Sequence, residues 1–207
     1  MENKSFIQVI RTNPKIKYSI FMIIFAFFFY GVLQMTFEDT FLDILLSLRF
    51  FTNLANILIF VIGILYLLKY NTHRYYKFIA MIGLVAILMT GIIYHTLIKS
   101  GPMNFDNHVV HTINPILYAI FYFIFLEDKI KLRDFWVSLI FPLIYFIVIL
   151  IQGSLTNWYP YNFLNPTYGD NTLMSVLIFC VGLLLPVISV FTVGLIYLKH
   201  LFEKYLV

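Results

Sequence analysis

The sequence predicts an all-α integral membrane protein, with six transmembrane helices in one bundle and both termini cytoplasmic. Composition, six apolar runs of spanning length and the placement of the basic residues carry this reading. Of the 207 residues, 61% are hydrophobic and 12% charged, where soluble domains carry about 25% charged and 45–50% apolar residues. Mean hydropathy is +0.90. One globular core of this size cannot hide that excess, so lipid is the solvent for most of the chain. A hydrocarbon core of about 30 Å needs about 20 apolar residues of helix. Six segments qualify: Tyr18–Thr36, Phe50–Lys69, Phe78–Ile98, Val109–Leu126, Phe135–Gln152 and Thr172–Leu198. In lipid each backbone must satisfy its own hydrogen bonds, which makes these runs helices.

The first run follows Lys4, Arg11, Lys15 and Lys17. It is too long for a signal peptide and no small-residue cleavage site follows it. The second opens with Thr52, Asn53 and Asn56 directly after Arg49, and Lys69, Arg74 and Lys77 separate it from the third, which closes on His95. The fourth opens with NHVVHTINP, residues 107–115, and Lys129, Lys131 and Arg133 follow it. The fifth leads into the aromatic loop Trp158–Pro166, and the sixth is followed by Lys199 and Lys204. Twelve of the 14 basic residues thus fall on one side of the membrane, and only Arg49 and Lys99 on the other. The positive-inside rule places the basic side in the cytoplasm. The formal charge of +4 then reports topology and contact with anionic lipid heads, not nucleic acid. Cys180 is the only cysteine, which excludes an intrachain disulfide. No linker, low-complexity segment or repeat divides the chain, so residues 1–207 read as a single domain.

With this orientation the informative polar residues share the outer half of the bundle: Arg49, Thr52, Asn53 and Asn56; His95; Asn107, His108 and His111; and the loop carrying Tyr159 and Tyr161. Polar groups at membrane depth are costly and face an interior or a cavity. Each alone has a plainer explanation. A threonine near a helix start is usually a cap or back-bonded. A histidine at a helix end is usually an interfacial anchor, Asn107 and Asn114 suit caps, and the Trp-Tyr-Pro-Tyr stretch suits an aromatic belt. Convergence at one depth favours a site. Arg49, Thr52 and Asn56 are spaced to share one helix face, as are His108 and His111. Pro115 frees a carbonyl near residue 111. His73 and His200 lie among cytoplasmic charges and receive no role.

Several pieces, in order, resemble one known family. They are FFTNLAN with Thr52 and Asn56, TGIIYH with Tyr94 and His95, HTINP with His111 and Pro115, FPLIY with Pro142 and Tyr145, and YPYNFLNP followed by Gly169. Together they cover about residues 45–170. The chain resembles the androgen-induced and androgen-dependent TFPI-regulating integral-membrane hydrolase family, as a bacterial member. The resemblance implies a multi-span helical bundle and an intramembrane hydrolase of fatty-acyl esters such as fatty acid esters of hydroxy fatty acids. It implies Thr52 as the essential threonine and His111 as the essential histidine. The expected setting is the cell membrane, the inner one in a bacterium, and the expected partners are membrane lipids and a lipid ester, with no protein partner implied.

The chemistry of the residues agrees with that expectation. A threonine hydroxyl needs a base to accept its proton, and an imidazole can take and return one near neutral pH. His111 is the expected base, with His95 as the alternative. Backbone N–H groups at the start of the second helix, or the Asn56 amide, are candidates for the oxyanion. Arg49, one turn outward of Thr52, suits a substrate carboxylate or phosphate. His108, Tyr159 and Tyr161 complete the supporting set. Asp39, Asp43, Asp106 and Asp170 are all candidates for a third catalytic member. No metal or cofactor is expected. Three rivals remain: a metal-dependent hydrolase using His95, His108 and His111, a haem carrier, and a non-enzymatic lipid-binding protein with the same cavity.

Overall fold

The structure is a computed structural model that describes residues 5–37, 40–127 and 129–207. The described residues are all-helical. Five helical units are long and apolar enough to cross a membrane: Pro14–Thr36, Tyr76–Ile98, Phe105–Phe125, Leu132–Thr156 and Leu173–Tyr205. A sixth is a broken pair, Phe41–Ser47 and Phe51–Leu67, bent by 92°. In chain order these are spans one to six, the broken pair being span two. The chain is a multi-pass membrane protein. Its outward side chains include Phe41, Leu155 and Val190, each about three-quarters exposed or more.

The helix expected over Phe50–Lys69 is present as Phe51–Leu67, and the bend adds the short helix Phe41–Ser47 before it. Thr40 caps the short helix by accepting from the Asp43 N–H at 3.2 Å. At the bend the Ser47 carbonyl accepts from the Phe50 N–H at 3.2 Å and from the Asn53 side chain at 2.9 Å. The Arg49 carbonyl accepts from the Tyr145 phenol at 2.9 Å. Arg49 therefore lies in the turn before the helix, and its expected place on one helical face with Thr52 and Asn56 does not exist.

Two other boundaries move for identifiable reasons. Span four starts at Phe105, because the Asn104 side chain caps it by accepting from the Asn107 N–H at 2.9 Å. Span six continues to Tyr205, past Lys199, which is 1% exposed rather than a flanking charge. The Lys199 ammonium donates to the carbonyls of Tyr122 and Phe123, at 3.3 and 3.0 Å, and to that of Leu126. Arg11 donates to the carbonyls of Ile124 and Phe123 at 2.7 and 3.1 Å. Glu203 pairs with both cations, at 2.7 Å to Arg11 and 2.6 Å to Lys199. The end of span four is a wide turn over Phe121–Phe125, and its last carbonyls, like those of any helix, lack intrahelical donors. Two buried cations supply them. His200, given no role from sequence, donates to the Ile130 carbonyl at 2.9 Å. The cluster ties the first and last helices to one end of span four.

Span three is the hub, packing against spans two, four, five and six. Ala80, Gly83 and Ala86 recur along it at helical spacing, and small residues let helices approach closely. One apolar core, with Phe21, Phe28, Tyr118 and Phe121, fills the space between spans one to four. A second, with Tyr145, Phe146, Leu164 and Leu184, lies between spans five and six and the loop that joins them.

The 12-to-2 division of basic residues predicts which end of this array faces the cytoplasm. In a Cys180→Ala background, cysteine at Asn165 should react with an impermeant thiol reagent on intact cells, and cysteine at Lys131 only after lysis. The reverse pattern would invert the topology.

Candidate active site

The site begins with the break in span two. The helix Phe51–Leu67 has Phe50 as its N-cap and no side-chain cap hydrogen bond. Helix starts leave free N–H groups that need acceptors. Two tyrosines lie against this one. The Tyr161 phenol meets the backbone of Phe51 and Thr52, the Thr52 hydroxyl and the Tyr145 phenol. The Tyr145 phenol also meets the Phe51 backbone. Burial pushes the Tyr161 phenol above its ordinary pKa, against the opposite pull of those hydrogen bonds. It therefore stays a protonated donor at neutral pH. Tyr161 is held flat against Phe163 at 5.2 Å and edge-on to Phe50 at 6.1 Å.

The second part is His111. It sits in a wide helical turn over Val109–Ile113, a geometry that recurs at functional sites. Pro115 cannot donate to the His111 carbonyl, and that carbonyl faces Gly91 so closely that a Cβ there would stand 2.8 Å from it. The imidazole is 8% exposed. It stacks on Tyr94 at 3.7 Å between ring centres, 11° from parallel, and lies against the backbone of Thr90. Its Nδ1 is buried and has no hydrogen-bond partner among the described residues.

Thr52 and His111 line one cleft of about 430 Å³, with Gln34, Asn53, Tyr94, Asp106, Asn107 and Tyr161 also on its wall. No hydrogen bond joins the two. Thr52 and Tyr161 also line a small apolar cavity of about 30 Å³, with Met89, Phe146, Leu184 and Ile188 on its wall. Thr52 therefore stands between a polar cleft and a small apolar cavity.

The other expected residues are placed elsewhere. Arg49 lies over the Trp158 ring at 5.1 Å and lines a separate apolar groove with Leu45, Leu54 and Val148. His95 is exposed, and its Nε2 is 3.0 Å from the Thr112 hydroxyl. His108 is exposed, and neither histidine lines the cleft. Asn56 is fully buried beneath the site. It donates to the Thr52 carbonyl at 2.9 Å and accepts from Asn114 at 2.7 Å, so its amide is committed to structure. Tyr159 covers the backbone of Gly153, where a Cβ would meet its ring at 2.1 Å. Of the candidate carboxylates, Asp106 lines the cleft and accepts from the Tyr30 phenol at 2.7 Å. Asp43 accepts from Thr40, Asp170 is exposed, and Asp39 lies outside the described residues. Among the described residues, no three His, Cys, Asp or Glu side chains are grouped to hold a metal ion. Tyr94 and Tyr145 shape the site most among residues with no assigned role. Their signal was present as polar-tipped aromatics beside His95 and Pro142.

The Asn56–Asn114 pair is the floor of the site, and Gly31 of span one makes room for it. A Cβ at Gly31 would stand 2.5 Å from the Asn114 amide and 2.8 Å from the Asn56 oxygen. Gly31→Ala should therefore force the pair apart and lower stability by about 1–3 kcal/mol, read as chemical unfolding in detergent. Unchanged stability would mean that the pair does not brace spans one, two and four.

No protein-family model, curated protein or solved structure matches this chain.

Proposed function

We propose that the protein is an intramembrane lipid ester hydrolase, with Thr52 as nucleophile and His111 as base. The observation that carries this reading is the junction at Thr52, where one hydroxyl borders a helix N-terminus and a polar cleft that also holds a buried imidazole with an unpartnered nitrogen. An ester has parts to match both: a polar alcohol half for the cleft and a carbonyl oxygen that becomes negative during attack at the helix start. The resemblance of FFTNLAN and HTINP to the integral-membrane hydrolase family supports the same two residues. The bacterial inner membrane is the proposed location.

In the proposed reaction the Thr52 Oγ1 attacks the ester carbonyl carbon, and its proton passes to His111 Nδ1, directly or through one water. The ester carbonyl oxygen displaces the phenols from the N–H groups of Phe51 and Thr52, which then stabilise the oxyanion, with the released Tyr161 hydroxyl as a further donor. The carbon–oxygen bond to the alcohol breaks, and the alcohol leaves with the proton returned from His111. Water then attacks the acyl-threonine and gives its proton to the same nitrogen. The carboxylic acid departs and the Thr52 hydroxyl is restored. The Thr52 hydroxyl must exchange Tyr161 for the base when substrate enters, which gives the bound ester control over activation. Tyr94, stacked on the imidazole, holds it in place.

Turnover of a fatty-acyl ester by purified variants tests this. Thr52→Ala should abolish hydrolysis, and His111→Ala should lower kcat by about 10²–10⁴-fold, with both proteins still folded in detergent. His95→Ala and His108→Ala should retain most activity, since neither lines the cleft. Hydrolysis by Thr52→Ala at the unmodified rate would remove the covalent mechanism, and a loss in His95→Ala equal to that in His111→Ala would reassign the base.

A further inference from the structure

The groove that holds Arg49 is separate from the cleft at Thr52, and none of the described residues lines both. It has a volume of about 460 Å³ and lies between the broken span two and span five. Phe141, Ile144, Val148 and Gln152 line it from span five, at the three- and four-residue spacing of one helix face. That face runs for about 16 Å. Leu45 and Leu54 line the groove from span two. Leu45, Ile144 and Val148 are each about half exposed, so the groove opens outward to lipid. Two groups with unmet donors stand on its wall. The Arg49 guanidinium is half-buried and rests on Trp158 at 5.1 Å, with no ion pair and no hydrogen-bond acceptor among the described residues. Gln152 stands at the end of the face nearest the loop that carries Trp158. Its Nε2 is buried and has no hydrogen-bond partner among the described residues, and a half-turn of the amide exchanges its nitrogen and oxygen.

We propose that this groove binds a single-chain carboxylic acid, a fatty acid with its carboxylate at Arg49 and its chain lying along span five. A cation at membrane depth is costly without a partner, and a planar guanidinium can donate to both oxygens of one carboxylate. The Gln152 amide supplies a further donor on the same wall. The rest of the wall is apolar apart from the Tyr145 phenol, which already donates to the Arg49 carbonyl. The occupant must therefore carry one anionic head and one alkyl tail. A groove of about 460 Å³ takes both parts of a single-chain acid, whereas a phospholipid would place only one of its two chains there. Arg49 thus keeps the carboxylate that its sequence position suggests, but at a site of its own. The inference stands apart from the Thr52 reading, because the acid is held whether or not it is made at Thr52.

The test uses dodecanoic acid carrying a diazirine near its methyl end, photolysed with the purified full-length protein in neutral detergent and mapped by mass spectrometry. Label should fall on the groove-lining part of span five, residues 141–149, or at Leu45 or Leu54. Unlabelled dodecanoate should compete at about tenfold lower concentration than methyl dodecanoate, which has the same chain and no charge. Arg49→Gln should cut labelling by the acid about tenfold, and Arg49→Lys should keep part of it. Val148→Trp should remove labelling by filling the groove. Equal competition by the acid and its methyl ester overturns the inference, as does undiminished labelling of Arg49→Gln. Stronger competition by phosphatidylglycerol than by dodecanoate would give the groove to a phospholipid and also overturns it. If Arg49→Gln does not fold, the comparison of acid with methyl ester on the native protein still decides. Thr52→Ala separates the two claims. It should label as the native protein does, and loss of its labelling would place the acid in the cleft and overturn the inference. Labelling as expected by a native protein that hydrolyses no ester would leave the inference standing and remove only the hydrolase reading.

Discussion

The site depends on one constraint: a helix that starts inside an apolar protein must have its first N–H groups answered. Span two breaks before Phe51, and the new helix start carries no side chain of its own to cap it. Water is the usual substitute at a surface, but here the phenols of Tyr145 and Tyr161 lie against the helix start. That brings span five and the loop after it onto the end of span two. It also sets Thr52, the second residue of the helix, beside donors able to hold a developing negative charge. The same contact that satisfies the fold thus assembles the proposed chemistry.

The opposite end of the molecule solves the complementary problem. Span four ends in a wide turn whose carbonyls lack donors, and the buried cations Arg11 and Lys199 supply them, balanced by Glu203. Removing one partner of such a cluster strands a buried charge, typically at about 3–5 kcal/mol. Span four is therefore fixed at its far end by ion pairs and at its near end by the Asn56–Asn114 pair and the close approach of Gly91 to the His111 carbonyl. An imidazole with an unpartnered, buried nitrogen is unstable in isolation. It persists because a braced helix and the Tyr94 ring hold it.

How much of this the sequence reveals follows from which signals are local. Apolar length shows the spans, because bilayer thickness acts on each helix separately. Polarity at one depth shows that Thr52, His111 and Tyr161 belong to the same end of the molecule. Spacing fails where the backbone leaves the helix. Arg49 and Thr52 share a face only if the helix runs through both, and the turn at Leu48–Phe50 ends that. His95 and His111 are also alike in sequence, each near the outer end of a span. Their difference is tertiary: one faces outward onto Thr112, and the other turns inward under Tyr94. Asn56 reads as a functional amide, yet its partner Asn114 lies 58 residues away, and only packing shows that each occupies the other.

The central claim is that Thr52 forms a covalent acyl intermediate, and direct identification of the modified residue tests it best. The protein would be treated with a fluorophosphonate ester-directed probe, digested and mapped by mass spectrometry. The adduct should lie on the peptide carrying Thr52, and should be absent when the same experiment is run on His111→Ala. An adduct on Tyr161 or another hydroxyl, with the Thr52 peptide recovered unmodified, would contradict the account.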